Sequence, residues 1–291
     1  MHPDVTRAAW HALEPLNAVA YFAPECAEAP ERLGLRGFWM GYFACRAAPM
    51  GAVAPGVVDA TFFNFHPAHV RRAIPDAWTR ATPAAVVAVR STAAAAALRR
   101  VLADGDADRL AHATLPALRR AVDAAAAGAP GRPLFAANLD VAPPDDPVAS
   151  LWQAATTLRE HRGDAHVSLL TGSGLDGCEV NVLFAATDGL PPALFQQSRG
   201  WSPDDWAAAD RLAERGLVAT DGTATGAGRA LRSTVERRTD ELALAPLAAL
   251  GDAGVGELLA VLVPAAARVA GAGEIRFPNP MGLPAPPAVG P

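Results

Sequence analysis

The sequence predicts an all-α protein in which a helical N-terminal domain is joined to a winged-helix domain with a small two-stranded β-wing. The first observation is composition: 51% of the 291 residues are hydrophobic but only 6% are aromatic, and alanine dominates the apolar set. Alanine-rich segments favour helices over strands. The second is that apolar residues recur at helical spacing in several segments. The third is that residues 183–244 combine helix caps, a glycine stop and an Asp-Gly turn in the order expected of a winged helix.

The N-terminal half carries a series of helix signals. Trp10, Leu13 and Leu16 have the spacing of one helix face, and Pro67 marks a later helix start. Two long helices rich in alanine, leucine and arginine are predicted between residues 83 and 127.

A proline-rich segment, VAPPDDP, is the predicted domain boundary. It separates a helical domain over 1–140 from a winged-helix domain over 147–270. The remaining segment, 271–291, is rich in proline and glycine and is predicted to be a loosely attached tail.

The winged-helix prediction is built from consecutive local signals. Ser202 is a predicted N-cap that opens a helix ending at Glu214, and Gly216 provides its stop. The dipeptide Asp221-Gly222 is preferred in tight hairpins and predicts the two-stranded wing. Thr225 is then expected to cap a final helix.

Two family resemblances accompany these signals. The C-terminal part resembles a MarR-type winged helix, and the match is carried by Leu212, Arg215, Gly216, Leu217, Thr225 and Gly228. Over nearly its whole length the chain resembles an actinobacterial helix-turn-helix family, SalK-like, found near natural-product genes. The matching stretches are EPLNAVAYFAPE, GLRGFWMGYFACRAAPMG, FFNFHP, IPDAW, LREHRGDAH and RGWSPDDW. This second resemblance implies a helix-turn-helix architecture and a role in secondary metabolism. It does not imply a particular activity.

Composition excludes several function classes. All 25 basic residues are arginine, so a phosphate-binding loop with its lysine and any Schiff-base chemistry are excluded. No apolar run reaches membrane-spanning length and the N-terminus does not read as a signal peptide, so we expect a cytoplasmic protein with no membrane partner. Cys26, Cys45 and Cys178 are too few and scattered for a disulfide framework.

The charge of the predicted DNA-reading helix disfavours DNA binding. This helix carries four carboxylates against one arginine, and the whole chain has a net charge of −5. The alternative stays open, because aspartates at a helix start also complement the helix dipole. In addition, the final helix carries arginines that could contact the DNA backbone: Arg229, Arg232, Arg237 and Arg238.

The segment 158–166 concentrates ionisable side chains and is the first candidate for chemistry. His161 and His166 are five residues apart, roughly 140° around a helix, which is poor spacing for a shared metal ion. A break at Gly163, with Asp164 capping the next helix, would bring both histidines to one cavity. The alternative is an ordinary helix end followed by a cap.

A second candidate lies in FFNFHP, where Asn64 and His66 stand among phenylalanines. Such polar groups need partners or must line a cavity, and a hydrogen-bonded core histidine is the competing interpretation. Tyr42 of the aromatic segment GFWMGYF and Arg46, four residues later, would share a helix face. Glu179 would need a partner if buried, and His161 or His166 is a candidate.

These observations predict a polar pocket between the two domains. Its predicted catalytic residues are His66, His161, His166 and Asp164. Its predicted ligand-binding residues are Phe38, Trp39, Tyr42, Arg46, Asn64, Asn138, Glu160, Arg162 and Glu179. No metal site is predicted, and the sequence identifies neither a cofactor nor the ligand.

The leading functional hypothesis is a small-molecule-binding protein or an enzyme that uses histidine acid–base chemistry. A ligand-responsive winged-helix transcription regulator is the first alternative. A dimeric structural or interaction protein is the second, so a homodimer is one expected partner.

Overall fold

A computed structural model describes residues 4–285, and within this range the protein consists of helices and connecting loops. The helices are α1 Asp4–Phe22, α2 Pro24–Glu31, α3 Gly37–Ala47, α4 Pro55–Thr61, α5 Pro67–Arg71, α6 Asp76–Arg80, α7 Pro83–Leu102, α8 Asp104–Ala125, α9 Pro133–Leu139, α10 Pro147–Gly172, α11 Gly177–Asp188, α12 Pro192–Arg199, α13 Ala208–Glu214, α14 Gly226–Leu242, α15 Ala245–Ala248 and α16 Gly251–Gly271. Short 3₁₀ turns lie at Ala48–Met50, Ala126–Gly128 and Asp205–Ala207. The predicted all-α class is confirmed.

The predicted winged helix with its two-stranded β-wing is wrong. Between residues 4 and 285 no strand is formed, and residues 217–225 contain only one antiparallel bridge, between Val218 and Ala224. The Asp221-Gly222 turn does form, with the Ala219 N–H donating to the Thr223 carbonyl at 2.7 Å. The segment is too short for a ladder, because its first residues still bond back to the end of α13 and Thr225 already caps α14.

Helix α10 runs through the middle of the fold. Asp146 caps it by accepting hydrogen bonds from the Val148 and Ala149 N–H groups. The helix then continues for 26 residues, so the break expected at Gly163 does not occur. It packs against α1, α7, α8 and α9 on the N-terminal side and against α14 on the C-terminal side.

Three apolar clusters surround this helix. The largest joins α1, α7, α8, α10 and α16 and contains Leu16, Leu98 and Trp152, all with almost no solvent exposure. A second is formed by α3 to α7 with α9 and centres on Phe43. A third joins the end of α10 to α11, α13 and α14 around Leu212. A large space lined by polar and aromatic side chains remains between these cores.

Helix α16 is long and apolar enough to cross a membrane by composition, with a mean hydropathy of 1.6 over its most apolar window. The helices from Pro67 to Leu102 also pass this test together, but only with a bend of 103°. Core helices pass the same test. Leu258, Leu262 and Val269 of α16 pack into the largest apolar cluster.

Candidate functional site

A cavity of about 860 Å³ opens between the three apolar clusters. Its walls come from α1, α3, α10, α11, α12 and α14, from the 62–65 loop and from the C-terminal segment 274–282. Voids in a close-packed protein interior are normally no larger than a few waters, so a space of this size needs an explanation. Ligand pockets of drug-sized molecules occupy roughly 300–1,000 Å³.

Most of the predicted site residues line this cavity. They are Phe38, Trp39, Tyr42, Arg46, Asn64, Glu160, Arg162, Asp164 and His166. Helix geometry explains the group from α10, because Arg159, Arg162, Gly163 and His166 follow the three- and four-residue spacing of one face.

The three predicted histidines do not converge. The His66 Nδ1 accepts a hydrogen bond from the Ala68 N–H and so caps α5. His161 lies against the edge of Phe135, with ring centroids 4.8 Å apart, and it lines a separate cavity of about 30 Å³. Of the three, only His166 lines the large cavity.

Two further predicted residues, Asn138 and Glu179, do not line the cavity and bind other side chains elsewhere. The Asn138 Oδ1 accepts a hydrogen bond from Arg90 at 3.0 Å inside the N-terminal core. The Glu179 carboxylate closes the capping box of α11 and pairs with Arg211 and Arg215. Glu179 therefore has the partner that its burial requires, but that partner is arginine rather than a histidine.

Aromatic rings form a continuous part of the cavity wall. Tyr42 lies 5.6 Å from Phe65 and 6.0 Å from Phe38, and Trp39 lies 6.2 Å from Phe65, measured between ring centroids. The guanidinium of Arg46 lies 4.2 Å from the centre of Phe62. Such a surface can hold a flat apolar group by area burial and ring contact.

A buried ion-pair network forms another part of the wall. Glu160 is 3% exposed and accepts hydrogen bonds from Arg159 at 2.7 Å and from Arg46 at 3.3 Å. Arg159 also donates to Glu14 at 3.2 Å, and the Glu14 Oε2 accepts from Trp10 as well. Burial alone would raise the pKa of Glu160, but the two arginines outweigh burial and lower it.

A second network involves α14. Arg162 donates to Asp240 and Glu236, and Arg7 pairs with the same two carboxylates. Burial opposes ionisation of Glu236, but His166, which is charged only below its own pKa of about 4, and the nearby arginines prevail and lower the pKa of Glu236 to about 2.

Burial shifts the pKa values of His166 and Asp164 in opposite directions. Burial lowers the pKa of His166 to about 4, and its Nδ1 lies 2.9 Å from the Thr239 hydroxyl. Burial raises the pKa of Asp164 to about 6, although its carboxylate accepts a hydrogen bond from the Phe135 N–H at 2.8 Å. At neutral pH His166 is therefore uncharged, whereas Asp164 is close enough to its pKa to exchange a proton.

Arg199 is a cavity residue that the sequence interpretation missed. Its position before Gly200 at the end of α12 is typical of a helix terminus, so nothing in the local pattern distinguishes it. In the structure it is 8% exposed, and its guanidinium lies 4.5 Å from the centre of Phe65. Glu14 and Arg159 were also missed, because they pair with each other across 145 residues of sequence. Trp10 was missed as well, although it donates to Glu14 one helical turn away.

The presumed DNA-reading helix is short and its arginines are engaged. A 3₁₀ turn and the seven-residue α13 replace the predicted helix from Ser202 to Glu214. Arg211 contacts Asp176 and Glu179, and Arg215 binds the Gly174 carbonyl and Glu179. Asp204, Asp210 and Glu214 are exposed along this segment, and so are the two arginines, but the arginines are held by their partners.

Among residues 4–285, no group of three or more histidine, cysteine or acidic side chains could hold a metal ion. The cavity wall therefore offers arginines, aromatic rings and paired carboxylates to a ligand, rather than a metal-binding set.

Comparisons with known proteins give one match. No curated protein and no solved structure matches the chain. The sequence model of a helix-turn-helix family matches residues 6–276, which is nearly the whole chain. The chain therefore belongs to this helix-turn-helix family.

Proposed function

We propose that this protein binds a small organic molecule in the cavity between α1, α10, α12 and α14. The observation that carries the proposal is the 860 Å³ cavity itself, with its aromatic rings and buried arginines. A space of this size lined by an apolar wall and a few fixed polar groups is the usual form of a ligand site.

Binding is better supported than histidine acid–base catalysis. Of the three histidines predicted to be catalytic, His66 caps a helix and His161 lies in another cavity. His166 lines the large cavity, but its pKa of about 4 makes it a poor proton donor near neutral pH. Asp164, with its pKa of about 6, is the remaining cavity residue suited to proton transfer.

A neutral solvatochromic dye, Nile red, tests the proposal without depending on any charge on the ligand. We expect saturable one-to-one binding to the wild-type protein. Val167→Trp places a large side chain on the cavity wall, so it should weaken binding at least about tenfold. Val261→Trp is the matched control, because Val261 is 40% exposed on α16 and does not line the cavity. Absence of saturable binding, or equal binding by Val167→Trp, would overturn the proposal.

A ligand-responsive DNA-binding regulator is the second candidate, and the family membership favours it. Helices α12 and α14 belong to the C-terminal part and contribute Arg199, Arg232 and Glu236 to the cavity wall. A ligand could therefore shift the population of arrangements of these helices. The paired arginines of α13 weaken this candidate, since a base-reading helix needs free donors.

Fluorescence anisotropy with the protein's own promoter DNA distinguishes the two candidates. A regulator would bind with an affinity that falls steeply between 50 and 200 mM salt, because bound phosphates release counterions. Weak binding that is equal for promoter and unrelated DNA would exclude the regulator and leave the ligand-binding proposal intact.

The resemblance to the SalK-like family supports two finer proposals, an actinobacterial origin and a role in secondary metabolism. A cytoplasmic location is proposed from composition. A dimeric scaffold stays an alternative, and the apolar residues Val261 and Val263 exposed on α16 are compatible with it.

A further inference from the structure

The cavity contains one buried arginine with no carboxylate partner. Arg199 is 8% exposed and lines the cavity, and within residues 4–285 no carboxylate oxygen lies within 4.0 Å of its guanidinium. Its Nη2 donates to the Pro280 carbonyl at 3.1 Å, whereas its buried Nε has no hydrogen-bond partner. A guanidinium carries five N–H donors, so most of its hydrogen-bonding capacity is unused.

The other buried charges of this region do not compensate Arg199. Arg46 and Arg159 share Glu160, and Arg159 also contacts Glu14. Neither Glu160 nor Glu14 lies within 4.0 Å of the Arg199 guanidinium, so this network supplies Arg199 with no counter-ion. An isolated buried charge is costly, and proteins usually keep one only when a partner is supplied.

The acidic residues of the cavity wall do not fill this role. Glu236 pairs with Arg7 and Arg162, and Asp188 pairs with Arg232. Glu274 pairs with Arg100. Asp164 lacks such a partner and accepts its hydrogen bond from a backbone N–H.

The position of Arg199 is fixed by its surroundings. Gly200 ends α12 in the left-handed conformation with φ +79°, and any side chain there would approach the His69 Cβ to 2.6 Å. The Arg199 carbonyl accepts a hydrogen bond from the His66 N–H at 2.9 Å. Packing of the guanidinium over Phe65 holds the charged group beside the aromatic wall. A preorganised arginine loses little freedom when an anion binds.

We propose that the ligand of this cavity is an aromatic or similarly flat apolar carboxylic acid whose carboxylate is bound by Arg199. This proposal rests on the proposed ligand-binding function and specifies its ligand class. A planar carboxylate matches the fork of a guanidinium and would supply the counter-ion that Arg199 lacks among residues 4–285. The flat apolar part of the ligand would contact Phe65 and Tyr42.

The test compares 1-naphthoate with 1-naphthamide, which has nearly the same shape but no charge. Isothermal titration calorimetry with the whole protein should give at least about tenfold tighter binding of the acid, the usual difference for a charge-assisted hydrogen bond. Arg199→Met should remove this preference while Nile red still binds. Arg199→Lys should keep part of the preference, because it retains the charge without the planar fork.

Arg238→Met is the control, since it also removes one positive charge but from an exposed position on α14 outside the cavity. It should leave the preference unchanged. Equal binding of the acid and the amide, or a preference that persists in Arg199→Met, would overturn the proposal. If Nile red still binds in that case, the ligand-binding function stands and only the ligand class is wrong. Tighter binding of 1-naphthyl phosphate than of 1-naphthoate would overturn the assignment to a carboxylate.

Discussion

Replacing Glu160 by glutamine should destabilise the fold strongly, because Glu160 is the only carboxylate among residues 4–285 within ion-pair distance of Arg46. The two side chains are 5% and 13% exposed, so the arginine would stay buried without a counter-ion. Breaking a buried ion pair from one side costs about 3–5 kcal/mol. Arg159 keeps its contact with Glu14 at 3.2 Å, so one arginine rather than two loses its compensation. We therefore expect a loss at the lower end, about 3 kcal/mol.

The assay is urea denaturation followed by circular dichroism, in the wild-type and Arg46→Met backgrounds. If the cost comes from the stranded arginine, Glu160→Gln should cost less than about 1.5 kcal/mol once Arg46 is methionine. Glu28→Gln is the control, because Glu28 and Arg32 form an exposed pair with side chains 65% and 72% accessible. That change should cost less than about 0.5 kcal/mol.

The reasoning would be refuted by either of two results. One is a loss below about 1 kcal/mol for Glu160→Gln in the wild-type background. The other is an equal loss in both backgrounds, which would show that the cost does not come from leaving Arg46 without a counter-ion.

Three further predictions concern packing and titration. In Gly228→Ala the new Cβ would lie 2.0 Å from the Leu217 carbonyl oxygen, so we expect the free energy of unfolding to fall by about 2 kcal/mol and the Tm to fall with it. Gly226→Ala is the control, because open space surrounds Gly226 and its Tm should be nearly unchanged. Equal Tm values for the two variants would contradict this prediction. Both ring nitrogens of His69 are buried without partners, so His69→Phe should keep or raise the free energy of unfolding, and a loss above about 1 kcal/mol would be evidence against it. The pKa of Glu236 falls from 4.5 to about 2 on folding, so its carboxylate stabilises the fold above pH 4.5, and this contribution is lost as the pH falls towards 2. Glu236→Gln should then flatten the fall of unfolding free energy between pH 5 and 3, and an unchanged slope would argue against the ion pairs.

Local sequence signals predicted the helices better than the wing. Helical spacing and proline starts depend on residues a few positions apart, and those contacts form wherever the segment lies. The Asp221-Gly222 turn formed as predicted. The strands did not, because a strand pair needs several residues on each side, and the helix end and the cap at Thr225 already use them.

The sequence predicted correctly that Tyr42 and Arg46 lie together, but it did not predict the positions of His161 and His166. Tyr42 and Arg46 share one turn of α3, so their common face follows from spacing alone. His161 and His166 are five positions apart, and only a helix break would have brought them together. Because α10 is continuous through Gly163, the two histidines face different cavities.

The sequence by itself determined that the protein is helical and that it lacks lysine chemistry, and it predicted that the segments of α3 and α10 carry polar and aromatic groups of a pocket. Only the tertiary structure decided which of these groups face one another. Arg199 meets Pro280, 81 residues further along the chain, and Arg159 meets Glu14, 145 residues earlier. Whether a buried charge is compensated depends on such distant partners, which no local pattern encodes. The lack of a carboxylate partner for Arg199 among residues 4–285, and with it the proposed ligand class, is therefore a property of the packing of α1, α10 and α12.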